Sequence, residues 1–213
     1  MTVDPDVRVH SLHAYFIRRG DAAEPIRFEV DRLRDGRSFT TRAVVARQAG
    51  GAILNMSASF QRSGPTEQVQ TATPPDVAGP EGLERDGWTP IIERSLLPVE
   101  PGRSAAWMRI PGLDDDPVLG ACALAYLSDD LATDAVSSLH GRETGEGPEA
   151  WIGISLDHAI WFQGPLVASD WQLHHFRADA LLAPRGLAVG HIFDRSGNHR
   201  ATVSQEVLLR RAG

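Results

Sequence analysis

A glutamine inside an apolar strand is the residue whose type and position most strongly suggest chemistry. Gln205 lies in the segment 201–209, which is otherwise rich in apolar and strand-favouring residues. If that strand is buried, both ends of the amide must be satisfied by hydrogen bonds, because an unpaired polar group in a protein interior is costly. An amide can donate and accept at once, so it can orient a second polar group. Gln205 is therefore the first candidate functional residue.

Other candidate groups are weaker when judged by their own features. Cys122 lies among small apolar residues without a polar motif beside it, which argues against a cysteine nucleophile. The chain has no Gly-x-Ser-x-Gly motif, and this argues against an α/β-hydrolase route. Asp129 follows an apolar helical segment and could be a solvated residue near a helix end. Ser155 lies in a predicted strand, where a serine is usually a tolerated small residue.

Two pairs of neighbouring residues suggest chemistry that their spacing disfavours. Asp157 and His158 resemble the acid and base of a hydratase, but adjacent residues of a strand point to opposite faces of a sheet. We therefore expect His158 to pack near a site or to contact the substrate. His174 and His175 are also adjacent, and no third ligand follows at a metal-like spacing. The sequence predicts neither a metal site nor a cofactor.

Composition limits the class of protein. The 213 residues carry a formal net charge of -7, which argues against nucleic acid as a main partner. A single cysteine excludes an intramolecular disulfide framework and favours a reducing, cytoplasmic location. The chain has no apolar run of the length that a membrane helix needs and no signal-peptide pattern, so we expect no membrane insertion.

Turn signals and apolar segments indicate two units joined by a linker. Residues 1–62 are strand-rich, with hairpin turns indicated at Asp35-Gly36 and Gly50-Gly51. Residues 63–90 are rich in Pro and Gly, which predicts an extended linker, and residues 91–213 make the second unit. The strands expected before the helix of the second unit cover 7–17, 26–30, 38–46, 52–60, 91–95 and 104–110.

A helix is predicted in the second unit. Asp114-Asp115-Asp116-Pro117 is a strong helix start, because acidic residues favour a helix N-terminus and Pro is tolerated in the first turn. The segment 118–127 that follows is apolar nearly all round, so we expect this helix to be buried.

The two units carry similar motifs, which indicates an internal repeat. Ser11-Leu12-His13-Ala14-Tyr15-Phe16 is similar to the segment 155–162 when a short gap is allowed. The counterpart of Gln205 in the first unit falls at or near Ala58. We therefore predict that the second unit carries the chemistry and that the first acts as scaffold and substrate wall.

Five motifs in order resemble the acyl-CoA thioesterase II family over about Val7 to Arg210. The resemblance implies an α+β double hotdog, built from two antiparallel sheets of which the second wraps a central helix. It also implies that the first hotdog is truncated here, since family members carry a further strand and helix ahead of Val7. The motifs are Val9-His10-Ser11-Leu12-His13-Ala14-Tyr15-Phe16, Leu33-Arg34-Asp35-Gly36-Arg37-Ser38-Phe39, Tyr126-Leu127-Ser128-Asp129, Leu156-Asp157-His158-Ala159-Ile160-Trp161-Phe162 and Ser204-Gln205-Glu206.

The resemblance also implies an activity and its residues. The expected reaction is hydrolysis of fatty acyl-CoA to free fatty acid and CoA. Asp129 would act as general base on a water molecule that Ser155 and Gln205 hold, and direct attack by Ser155 is the less favoured variant. Trp161 and Arg185, together with His158, are candidate substrate-binding residues.

Two other functions and one assembly state follow from the same reasoning. A truncated first hotdog favours a non-catalytic acyl-CoA-binding or structural remnant as the main alternative, and a hotdog enoyl-CoA hydratase is a third possibility. A sheet without its helix would expose an apolar face, and large apolar patches are rarely left bare. We therefore expect a homo-oligomer.

Overall fold

One antiparallel sheet organises the computed structural model, which describes the chain except for positions 1, 63, 65, 66, 68, 87, 88, 140–150, 166, 212 and 213. The described residues form eleven strands and two helices. The strands are β1 (Val7–Phe16), β2 (Arg27–Asp35), β3 (Phe39–Gln48), β4 (Gly51–Arg62), β5 (Glu93–Leu96), β6 (Arg103–Arg109), β7 (Trp151–Ser155), β8 (Asp157–Phe162), β9 (Gln172–Leu182), β10 (Arg185–Asp194) and β11 (His199–Arg211). The helices are α1 (Pro117–Leu127) and α2 (Ala132–Leu139).

Strand order joins the two predicted sheets edge to edge. The order is β2-β3-β4-β1-β8-β11-β10-β9-β6-β5, and β7 pairs with β11 beside β8. Strands β1 and β8 form the junction, with Ala14 opposite His158. The predicted α+β class and the hotdog arrangement of the second unit are confirmed, and the two sheets are continuous.

The start of α1 is confirmed where the sequence placed it. The side chain of Asp116 caps the helix by accepting hydrogen bonds from the backbone N–H groups of Val118 and Leu119, at 2.8 and 2.9 Å. Pro117 occupies the first turn, where its missing N–H is not needed. These contacts satisfy helix-end donors that would otherwise have no partner.

The prediction that α1 is buried all round is wrong for one side. Leu124 and Leu127 are fully buried against the sheet, whereas Val118 is 59% and Tyr126 51% exposed. A segment with apolar residues on every side does not show which side the sheet covers, and here the sheet covers only one. Apolar side chains of the first unit, among them Phe28 and Leu33 on β2, are also exposed.

Helix α2 is not among the elements predicted from the sequence. It packs on the sheet where two strands carry glycine in place of a side chain. A Cβ atom at Gly153 of β7 would lie 1.9 Å from Cγ2 of Thr133, and one at Gly186 of β10 would lie 2.3 Å from Cγ1 of Val136. Because no side chain stands between them, the helix approaches the backbone of both strands closely.

The main core lies between the two helices and the second-unit strands. It contains large side chains that are almost fully buried, including Ile160 of β8, Phe176 of β9 and Ile192 of β10. His174 of β9 is also fully buried, and neither of its ring nitrogens has a hydrogen-bond partner among the described residues. Burial lowers the pKa of His174 to about 3.

None of the helices in the described part of the chain is long and apolar enough to cross a membrane. The helices serve instead to cover one face of the sheet, on which the polar groups described below converge.

Gly153→Ala is expected to destabilise the protein by about 1–3 kcal/mol, because the new methyl group must push α2 away from β7. Urea unfolding of the variant and the wild type measures this difference. Gly64→Ala is the matched control, since a Cβ atom there would meet nothing within 4 Å. Equal stability of Gly153→Ala and the wild type would contradict the close seating of α2.

His174 is expected to weaken the fold as the pH falls. Its folded-state pKa lies below the unfolded value, so the unfolded chain binds a proton first and stability is lost below about pH 6.5. Between pH 7 and pH 5 the loss from this residue is about 2 kcal/mol. Urea unfolding at several pH values should show a shallower pH dependence in His174→Leu than in the wild type. Parallel curves would show that His174 binds protons equally in the folded and unfolded states, so that burial does not lower its pKa.

Candidate functional site

The turn between α1 and α2 presents two adjacent acidic residues to the sheet. Ser128 ends α1 as its C-terminal cap, and the backbone N–H of Ser128 donates to the carbonyl of Leu124 at 2.9 Å. Leu127 and Leu131 are fully buried on either side of the turn. The buried leucines therefore hold Asp129 and Asp130 at the surface of the sheet.

The two acids have different environments. The carboxylate of Asp130 forms an ion pair with the guanidinium of Arg94, at 2.6 Å, and Arg94 also contacts Asp86. Burial raises the pKa of the Asp130 carboxyl, while the Arg94 guanidinium acts to lower it. Asp129 instead points toward Ser155. Among the described residues, the acid without an arginine partner is therefore the one beside the polar residues of the sheet.

Ser155 of β7, His158 of β8 and Gln205 of β11 lie close to this turn, because β7 and β8 both pair with β11. Ser155 of β7 pairs with Val207, and Ala159 of β8 pairs with Ser204. Gln205 of β11 therefore lies between the end of β7 and the start of β8. It also lies beside His158.

Hydrogen bonds join Asp129, Ser155 and Gln205 directly. The hydroxyl of Ser155 donates to Oδ1 of Asp129 at 2.8 Å. Nε2 of Gln205 donates to Oγ of Ser155 at 2.8 Å. The structure therefore brings together the three residues that the family resemblance implied, although they lie on a turn and two different strands.

His158 and Ser128 complete a closed arrangement. Nδ1 of His158 lies 2.6 Å from Oε1 of Gln205, and Nε2 of His158 lies 2.9 Å from Oγ of Ser128. Since Ser128 and Asp129 are neighbours in the chain, the five residues form a ring of contacts closed by one peptide bond. We call Ser128, His158, Gln205, Ser155 and Asp129 the polar network.

The polar network is buried at one end and accessible at the other. Gln205 is 0% and His158 4% exposed, and Ser128 is fully buried as well. Asp129 and Ser155 are only partly buried. Asp129 and Ser155 are therefore the members of the network nearest to solvent, while Gln205 contacts Ser155 from the interior.

The remaining predicted residues point away from this network. The carboxylate of Asp157 accepts a hydrogen bond from the backbone N–H of Glu206 at 2.7 Å, so it does not pair with His158. Trp161 lies an odd number of residues after His158 on β8 and makes an edge-to-face contact with His13, with ring centres 5.0 Å apart. Arg185 forms an ion pair with Glu206 at 2.6 Å.

Strand alternation puts the side chains of Trp161 and Arg185 on the face of the sheet opposite to Gln205. The face that carries Trp161 and Arg185 also has a cleft of about 280 Å³. This cleft is lined in part by Arg103, His175, Arg177 and His191. It does not include any member of the polar network. Among the described residues, no group of three or more metal-ligating side chains is arranged to hold an ion.

The first unit has an apolar pair where the second has two polar side chains. Leu12 of β1 and His158 of β8 occupy equivalent places, each one residue before the central pair of the β1–β8 junction. Leu12 pairs with Ala58 on β4, as His158 lies beside Gln205. The sequence therefore located the first-unit counterpart of Gln205 well, and that counterpart has no polar side chain.

Comparison with known families agrees with this geometry. Residues 65–209 match the family model described as the acyl-CoA thioesterase C-terminal domain, and residues 1–61 match the acyl-CoA thioesterase N-terminal domain. The chain belongs to the acyl-CoA thioesterase II family. The match to the C-terminal model includes every residue of the polar network.

Curated relatives and solved structures support the membership. The chain is 32% identical to acyl-CoA thioesterase 2 of Haemophilus influenzae, over 99% of this chain and 82% of the relative. It is 31% identical to acyl-coenzyme A thioesterase 8 of Rattus norvegicus, over 98% of this chain and 75% of the relative. The crystal structure of an acyl-CoA thioesterase II from Mycobacterium marinum superposes with a TM-score of 0.86 at 38% identity, covering 100% of this chain and 84% of that one.

A more distant structure supports the fold alone. A protein of unknown function with a hot dog fold from Alicyclobacillus acidocaldarius superposes with a TM-score of 0.78 at 18% identity, and the match covers 97% of this chain and 80% of that one.

Proposed function

We propose that this thioesterase-family chain hydrolyses fatty acyl-CoA to a free fatty acid and CoA, with Asp129 as the general base. The observation that carries the proposal is the hydrogen bond from Ser155 to Oδ1 of Asp129, supported from behind by Gln205. One carboxylate oxygen is thereby occupied. Oδ2 has no hydrogen-bond partner among the described residues and is left to accept a proton from water.

The reaction balances with these groups alone. The water oxygen attacks the carbonyl carbon of the thioester, and its proton passes to Asp129. The C–S bond of the tetrahedral intermediate then breaks, and Asp129 returns the proton to the leaving sulfur. The products are a carboxylic acid and free CoA thiol, and the carboxylate is regenerated.

Ser155 and Gln205 contribute by orientation. Ser155 gives its only proton to Asp129 and accepts one from Gln205, so its hydroxyl cannot rotate without breaking a contact. Because Gln205 is fully buried and donates to Ser155, its proposed effect on the water molecule is exerted through Ser155. Positioning of this kind lowers the barrier by holding the reacting groups close to the productive geometry.

The geometry disfavours the hydratase alternative. A hydratase needs an acid and a base that converge on one substrate, and here Asp157 is bound to the backbone of Glu206 while His158 faces Gln205. A non-catalytic remnant would have no reason to keep a buried polar ring in place of apolar residues such as Leu12 and Ala58. Hydrolysis is therefore the function that the polar network supports best.

Asp129→Asn should reduce the rate of CoA release by about 100- to 10,000-fold, because an amide cannot take the proton from water. The measurement traps the free thiol during incubation with medium- and long-chain acyl-CoA. Asp130→Asn is the matched control, since it removes an equal charge from the neighbouring residue that pairs with Arg94. It should cost stability and far less activity.

Four results would oppose the assignment. Full activity of Asp129→Asn would remove Asp129 as the base. An acyl group found on Ser155 by mass spectrometry would replace attack by water with attack by the serine. No thiol release from folded wild type would favour a binding protein, whereas loss of enoyl absorbance without thiol release would favour a hydratase.

We also propose that the protein is a cytoplasmic homo-oligomer. Exposed apolar side chains on the first-unit strands, such as Phe28 and Leu33, favour association, since patches of this kind are rarely left bare. The single cysteine fits a reducing compartment. Sedimentation velocity should give a mass that is a multiple of 23.1 kDa, and a monomer would contradict the oligomer.

A further inference from the structure

His158 touches only the interior side of the polar network. Its Nδ1 lies 2.6 Å from Oε1 of Gln205, and its Nε2 lies 2.9 Å from Oγ of Ser128. Because the ring is 4% exposed and Asp129 and Ser155 form the accessible end, we infer that His158 is a positioning residue. It holds the amide of Gln205 with its N–H toward Ser155. This inference rests on the proposed function of Asp129 as base.

The chemistry of each group gives its hydrogen bond a direction. An amide oxygen can only accept, so Nδ1 of His158 must carry the proton that Oε1 of Gln205 receives. Nε2 of Gln205 then donates to Ser155, and Ser155 donates to Asp129. Each donation points toward the carboxylate, which is the one member of the network that can only accept when ionised.

The opposite orientation of the Gln205 amide would remove the hydrogen bond from Ser155 to Asp129. If Gln205 rotated by half a turn, Oε1 would face Ser155 and take its proton. The carboxylate of Asp129 would then face an oxygen without a proton at a separation of 2.8 Å. In that arrangement His158 would have to carry its proton on Nε2. The tautomer of His158 and the orientation of Gln205 are therefore set together.

Ser128 can satisfy Nε2 of His158 without changing this orientation. Its hydroxyl lies 2.9 Å from Nε2 of His158 and 3.0 Å from the carbonyl of Ala125. A carbonyl and a ring nitrogen without a proton can both only accept, so the single proton of the Ser128 hydroxyl is shared between Ala125 and His158 when the ring is protonated on Nδ1 alone. The orientation of the fully buried amide of Gln205 is therefore fixed from the Asp129 end of the series, and Ser128 accommodates it at the end of α1.

The first unit shows what the same fold does without this requirement. Leu12 and Ala58 stand at the places of His158 and Gln205 and pack as apolar side chains. The fold can therefore hold an apolar pair at this junction. A histidine at the second-unit position is explained by the amide that it orients.

The kinetic test uses two substitutions that differ in one donor. His158→Leu removes both ring nitrogens and should lower kcat for acyl-CoA hydrolysis by about 10- to 100-fold, with KM changed by less than about 3-fold. His158→Asn places an amide N–H near the position of Nδ1 and should recover most of that loss. His174→Leu is the matched control, because it removes another buried histidine that has no hydrogen-bond partner among the described residues.

A double-mutant cycle separates positioning from a general effect on the fold. If His158 acts through Gln205, His158→Leu should cause no further loss of kcat in a Gln205→Ala background. Full multiplication of the two effects, or unchanged kcat in His158→Leu alone, would overturn the inference. If His158→Leu fails to fold, the comparison of His158→Asn with the wild type and with Gln205→Ala takes its place.

Nitrogen NMR tests the premise without using activity. The ¹⁵N shifts of the ring should show His158 protonated on Nδ1 in the wild-type protein. A ring that carries its proton only on Nε2 would overturn the inference even in an active enzyme. A wild type that releases no thiol but shows the proton on Nδ1 would instead refute the proposed hydrolysis and keep the orientation of Gln205.

Discussion

The charge of Asp129 determines the direction of the hydrogen bonds that run from His158 through Gln205 and Ser155 to its carboxylate. A carboxylate accepts and cannot donate, so Ser155 must give it a proton, and Gln205 must then give one to Ser155. His158 follows by the same reasoning. Because Gln205 and His158 have almost no exposure, water cannot replace a lost partner and each wrong orientation leaves a buried polar group unpaired. The network is therefore a constraint on the fold as well as a catalytic device.

The close packing of α2 on the sheet positions two members of that network relative to each other. Helix α2 rests on the backbone of β7 and β10 at Gly153 and Gly186, where a side chain would collide with Thr133 and Val136. Two residues after Gly153, β7 presents Ser155, and three residues before α2 the turn presents Asp129. The close contact thus lies within a few residues of both partners of the 2.8 Å hydrogen bond. Small shifts of α2 are transmitted directly to the reacting groups, and misplacements of about 1 Å are costly in catalysis.

Local features were predictable, while contacts between distant segments were only partly so. The helix start at Asp116 depends on residues next to one another, and it was correct. Gln205 was recognisable because a polar side chain is unexpected in an apolar strand. The pairing of His158 with Gln205 depends on the register of β8 and β11, which no single segment contains. Helix α2 was not predicted, although Ala132, Ala135, Val136 and Leu139 repeat at the i, i+3, i+4, i+7 spacing of an amphipathic helix.

The placement of Trp161 shows where a stricter use of strand periodicity would have helped. Its separation from His158 along β8 is odd, so the two side chains had to face opposite sides of the sheet, as they do. The same rule separates Arg185 from Gln205 and leaves the helix-covered face to the polar network. On that face the two units differ at the positions that are apolar at Leu12 and Ala58 and polar at His158 and Gln205. Since β8 pairs with β11 as β1 pairs with β4, this polar pair of the second unit lies on a similar pair of strands.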